Sequence, residues 1–148
     1  MAGALTEKAI RLLSMREHSR KELGRKLASS GTPEEIEATL DRMTELGLLS
    51  DSRFAAAWVR SKARRFGVAR LRHDLVQRGI DPETIDHALA NECCDGELER
   101  AREVWRSKFG QVAEDRREWA KQARFLQARG FSTSVISKLL KENPDESA

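Results

Sequence analysis

Three stretches of this chain share one skeleton: "SRKELGRKLASSGTPEEIEATL" (19–40), "VARLRHDLVQRGIDPETIDHAL" (68–89) and "AKQARFLQARGFSTSVISKLL" (120–140). Gly31, Gly79 and Gly130 align, 48 and then 51 residues apart. A leucine stands four residues before each glycine, at Leu27, Leu75 and Leu126. An Ile-x-x-x-Leu pair follows each, at Ile36 and Leu40, Ile85 and Leu89, Ile136 and Leu140. This repeat constrains the fold more than any other property of the sequence. A copy this small leaves part of its apolar face exposed, and consecutive copies must stack on or share helices with one another.

Local chemistry turns the skeleton into helices. A leucine pair at i, i+4 marks a short helix, and a glycine just beyond it suits a left-handed cap. Ser19-Arg20-Lys21-Glu22 and Thr32-Pro33-Glu34-Glu35 are capping boxes, the second with proline at the first helical position, and Asp81-Pro82 repeats the cap-plus-proline start. Helices therefore begin near residues 20, 33, 69, 82 and 133. A further helix precedes each pair, marked by the stripes Leu5-Ala9-Leu12, Phe54-Trp58-Phe66 and Leu98-Ala101-Trp105. The expected fold is all-α: nine helices in three tandem three-helix repeats, residues 1–50, 51–94 and 95–148, forming an extended, curved helical array. The stripes and tryptophans are read as core.

Of the 148 residues, 39% are hydrophobic and 34% charged, enough apolar content for a packed helical protein rather than a disordered chain. No run of about 18 apolar residues offers a membrane span, and the charged N-terminus does not look like a signal peptide, so a cytoplasmic setting with no membrane contact is expected. Cys93 and Cys94 are adjacent, with no second pair; they form neither a disulfide framework nor a zinc site and are read as small apolar residues near a helix end. His18, His73 and His87 lack a matched carboxylate or serine constellation. The chain is expected to be no enzyme and to carry no cofactor and no metal.

The sharpest charge feature is "SKARRFGVARLR" (61–72). Residues 51–80 hold eight basic side chains against two acidic, while residues 81–115 hold four basic against ten acidic, a split hidden in the net charge of +3. The candidate partner-binding residues are Arg53, Arg60, Lys62, Arg64, Arg65, Arg70 and Arg72. On a helical wheel Arg53, Arg60 and Arg64 fall within about 40° of one another, opposite an apolar arc, while Lys62 falls inside that arc. Three readings stay open: a seat for nucleic-acid phosphates, a docking face for a protein, or a solvated surface. The absence of carboxylates between 52 and 73 weighs against the last. Arg70 and Asp74 have ordinary i, i+4 spacing, and Glu97/Arg100, Glu99/Arg102 and Glu103/Arg106 are i, i+3 pairs that make the acidic segment a salt-bridged surface.

The stretches "HSRKELGRKL", "GLLSDSRFAAAWVRSKARRFG", "RLRHDLVQRGI" and "FLQARGFS" resemble the regulatory protein RecX family, over about residues 10 to 140. The resemblance implies a modulator, mostly an inhibitor, that binds the RecA recombinase filament in recombination, DNA repair and the SOS response. A further partner to look for is single- or double-stranded DNA, and the chain is expected to act as a monomer. One departure is Val68 after Gly67, where the family usually has proline. The competing reading from the residues is a helix-turn-helix-like DNA-binding protein acting without RecA. Against it, the second helix of the middle module offers only Arg70, Arg72 and Gln77, on different faces, to read bases.

Overall fold

The structure, a computed structural model, describes residues 2–93 and 96–141. Among these it has nine helices and no strand: α1 (Ala2–Met15), α2 (Arg20–Leu27), α3 (Pro33–Glu45), α4 (Asp51–Lys62), α5 (Val68–Gln77), α6 (Pro82–Glu92), α7 (Glu97–Lys108), α8 (Arg116–Ala128) and α9 (Thr133–Lys141). Both capping boxes form. Ser19 and Thr32 accept from the backbone N–H of Glu22 and Glu35, whose side chains accept in return from the cap N–H groups. Four of the five expected starts are met to the residue and the fifth, α5, is one residue early. The third leucine helix starts before the repeat does, because Asp115 caps it by accepting from Glu118 N at 2.8 Å. Cys93 is half-buried just past α6, and Cys94 lies outside the described residues.

The chain divides into two compact units, one of Met1–Trp58 and Leu75–Ala88, the other of Val59–Asp74 and Leu89–Ala148. In the first unit α1, α2 and α3 pack around Leu5, Ala9, Leu23, Leu27, Leu40 and Met43. In the second, α7, α8 and α9 pack around Ala101, Val104, Leu126, Phe131, Ile136 and Leu140. The middle three helices are shared out, so that Leu75 and Ile85 are buried in the first unit and Leu71 and Leu89 in the second. All three skeleton leucines, Leu27, Leu75 and Leu126, are fully buried.

The aligned glycines are not equivalent. Gly79 (φ 80°) and Gly130 (φ 91°) adopt the left-handed conformation expected of them, whereas Gly31 does not. Gly31 is small for a different reason: a Cβ there would meet Leu5 Cδ2 at 3.1 Å and Glu35 Oε1 at 3.3 Å. The other two sit where one module's turn rests on the preceding module. A Cβ on Gly79 would fall 2.8 Å from Lys21 Cβ, and one on Gly130 would fall 2.3 Å from Arg70 Cβ. Gly67 completes the second of these contacts: its N–H donates to Arg129 O at 2.8 Å, and a Cβ on it would fall 2.3 Å from Gly130 O.

Candidate functional site

The seven candidate cations are dispersed by the fold rather than gathered on one helix. Helix α4 ends at Lys62, so Arg64 and Phe66 lie in the turn beyond it, and the wheel that put Arg53, Arg60 and Arg64 in one stripe extended the helix too far. Gly67 and the tight turn onto α5 stop it there. Arg53 Nε donates to Glu17 Oε2 at 2.9 Å, and Arg60 Nη1 to Glu92 Oε1 at 2.5 Å. Both are thus engaged by carboxylates remote in sequence. Lys62 is half-buried at the helix terminus, and Arg72 is exposed on α5.

Arg65 and Arg70 meet on the half-buried ring of Phe66, with their guanidinium carbons 5.9 and 4.5 Å from its centroid. A third guanidinium joins them, that of Arg129 from the end of α8, at 5.3 Å. Arg129 also lies 5.0 Å from the Phe125 ring, which meets the Phe109 ring edge to face and which Lys108 approaches to 5.5 Å. The backbone sets this geometry. Gly67 N–H holds Arg129 O, Arg129 Nη1 donates to Arg65 O at 3.3 Å, and Arg70 Nη1 donates to Ala128 O at 3.4 Å. Asp74 accepts from Arg70 Nε at 3.3 Å. A guanidinium over an aromatic face that spends one or two N–H groups on carbonyls keeps others of its five donors for phosphate or carboxylate oxygens. Sequence reasoning missed Arg129 and Lys108. Only the recurring Arg-Gly before two of the module turns hinted at the first.

A cleft of about 610 Å³ in the same unit is lined by Arg60, Arg64, Arg100, Glu92, Glu99 and Glu103. Its charges balance, so it favours neither anion nor cation, and the cluster on Phe66 is the stronger candidate for an anion. Two of the expected helix pairs form, Glu99 with Arg102 and Glu103 with Arg106. Glu97 and Arg100 do not pair with each other. Arg100 is buried and donates through Nε to Ala63 O at 2.9 Å, while Glu97 Oε1 accepts from Val68 N–H at 2.9 Å. A proline at 68 has no N–H to make that bond, so the departure at Val68 has a structural use.

The histidines are scattered. His73 and His87 are exposed on α5 and α6, and His18 is buried, its Nδ1 3.0 Å from Arg16 O and its Nε2 3.1 Å from Lys26 Nζ. Among the described residues no group of three or more His, Cys, Asp or Glu could hold a metal ion, and no helix is long and apolar enough to cross a membrane. The chemistry that the cluster on Phe66 offers is that of an anion seat.

Family models match the chain in three consecutive blocks: the RecX first three-helix domain over residues 6–43, the second over 50–89 and the third over 95–140. The chain belongs to the RecX family. Among its relatives, the regulatory protein RecX of Leptothrix cholodnii is 48% identical over 139 residues, covering 93% of this chain and 88% of the relative. That of Pseudomonas fluorescens is 49% identical, covering 93% and 90%. The Chromobacterium violaceum protein is 41% identical, covering 97% and 93%. The crystal structure of RecX from Lactobacillus salivarius superposes with a TM-score of 0.81 at 23% identity over 95% of each chain, a likeness of fold. A second crystal structure, of regulatory protein RecX, gives 0.80 at 26% identity, covering 95% of this chain and 73% of the other. The RecX family accounts for the three-module repeat read from the sequence.

Proposed function

We propose that this RecX-family chain binds the RecA recombinase filament and limits its activity in recombination and DNA repair, without catalysing a reaction. The observation that carries the reading is the full set of RecX domain models matching in order along one chain. Modules 1–50, 51–94 and 95–148 act as successive contact units, and the chain works in the cytoplasm as a monomer, with no cofactor and no membrane. The cluster of Arg65, Arg70 and Arg129 on Phe66 supports it, because a nucleoprotein filament presents both phosphates and charged side chains. Arg53 and Arg60, already engaged by Glu17 and Glu92, contribute less than the wheel suggested.

The test is RecA-dependent ATP hydrolysis on single-stranded DNA with increasing amounts of the protein. Hydrolysis is expected to fall, and Arg65→Gln with Arg129→Gln to raise the half-inhibiting concentration about tenfold, as losing two charge-assisted contacts requires. Hydrolysis unchanged at large molar excess overturns the reading. DNA binding in that case leaves the helix-turn-helix alternative standing.

A further inference from the structure

A second set of cations lies in the first unit, outside the region that charge counting singles out. Lys21 and Arg25 stand one turn apart on α2, and the α5–α6 turn brings Arg78 to them. With Glu22 and Gln77 they line a hollow of about 250 Å³. Glu22, the one carboxylate among those lining residues, is already shared. It lies 3.4 Å from Arg16 Nη1 and 3.9 Å from Arg78 Nε, and it accepts from Ser19 N–H at 3.2 Å. Lys21 Nζ donates to Gln77 O at 3.3 Å. Arg25 is exposed, and among the described residues no ion pair to it is found.

The fold builds this arrangement twice. Each left-handed turn glycine that rests on an earlier module is preceded by arginine: Arg78-Gly79 and Arg129-Gly130. Each of these glycines lies against a long cation in the first turn of that earlier module's second helix, Gly79 on Lys21 and Gly130 on Arg70. Each arginine lies on a ring, Arg78 at 3.9 Å from Trp58 and Arg129 at 5.3 Å from Phe66. The close approach that only glycine permits thus sets the stem of one cation against the turn that carries another at both places. Cations gathered in one hollow attract an anion whose oxygens can reach more than one of them.

We infer that the hollow of Lys21, Arg25 and Arg78 is a phosphodiester site, the counterpart in the first unit of the Arg65–Arg70–Arg129 cluster, and that each takes backbone phosphates of nucleic acid. A cation arrangement that the chain builds twice suits a ligand whose charge itself repeats. A nucleic-acid backbone repeats its charge at every nucleotide, while the carboxylates of a folded protein surface do not. The inference deepens the proposed function and rests on that reading only for the origin of the strand.

The test uses the full chain, a labelled oligomer of deoxythymidine, and the double substitution Lys21→Met with Arg25→Gln, which removes charge and keeps a stem beneath Gly79. Phosphate contacts on a single strand each add about 0.7 to the slope of log affinity against log salt, so the double variant should flatten that slope by about 1.4. Arg129→Gln should flatten it separately by about 0.7, with the melting temperature of each variant close to the parent's. Unchanged slope and affinity in the double variant overturn the site, as does parent binding that ignores salt. Loss of RecA inhibition with oligomer binding intact also overturns it, assigning the hollow to acidic protein side chains. A parent that binds the oligomer with the expected slopes yet leaves RecA hydrolysis untouched defeats the proposed function alone and upholds the site.

Discussion

At the scale of single residues, His18 and the junction glycines carry the clearest consequences. Burial, and then the charges of Arg16 and Lys26, hold the His18 imidazole below its ordinary value of 6.5, against the opposing pull of the Arg16 carbonyl and Glu22. The unfolded chain therefore takes up this proton at a higher pH than the folded one. Stability is full above about 6.5 and is lost as pH falls through the lower folded value. Thermal unfolding followed from pH 8 downward should show a melting temperature that declines below this point, and His18→Gln should remove that part of the decline. Glycine substitutions should differ in sign. Gly24 lies inside α2, where a methyl would meet Leu40 Cδ1 at an ordinary 3.4 Å. Gly24→Ala is expected to gain up to about 1 kcal/mol from helix propensity. Gly67→Ala drives a methyl to 2.3 Å from Gly130 O and should lose about 1–3 kcal/mol. Urea midpoints of the two variants decide the matter.

Helices were the most legible level, and the reasons are local. Capping boxes, the proline at position 33 and the turn glycines all act within five residues, so the starts of α2, α3, α6 and α9 could be read directly. Where the reading failed, the deciding partner was remote. Phe66 has the right spacing for α4 and yet leaves it, because the turn at Gly67 is held by Arg129, and Arg100 abandons its i, i+3 neighbour for carbonyls beyond the end of α4. The same distance hid the candidate sites: Arg129 is 64 residues from Arg65, and Arg78 is 56 residues from Glu22. A periodic pattern cannot rank such pairs. The N-terminus of α5 offers a direct test of one of them. Val68→Pro removes a hydrogen bond to a carboxylate, a loss of about 1.5–3 kcal/mol, and regains about 0.4–1 kcal/mol by stiffening the unfolded chain. The net expectation is a loss of about 1–2 kcal/mol by denaturant titration. In a Glu97→Ala background the same substitution should be neutral or stabilising, since the bond is already gone.

Over the whole molecule, a net charge of +3 describes nothing that a partner meets, because +6 in residues 51–80 and −6 in residues 81–115 cancel in the total. The fold redraws even that division. It neutralises Arg53 and Arg60 with acids from elsewhere in the chain and adds Arg129 and Lys108 from the C-terminal third to Arg65 and Arg70. The contact of Gly67 with Arg129 and Gly130 also fixes when this surface comes into being during synthesis. The first unit has all its parts once residue 88 has left the ribosome, whereas the turn at 67 must wait for the last helices of the second. At about 5–20 residues per second, the interval between residue 88 and residue 140 is about 3–10 seconds. Throughout that interval Phe66 and the arginines beside it are without the strand of chain that arranges them, so the nascent protein has a folded beginning before it has an assembled Arg65–Arg70–Arg129 cluster.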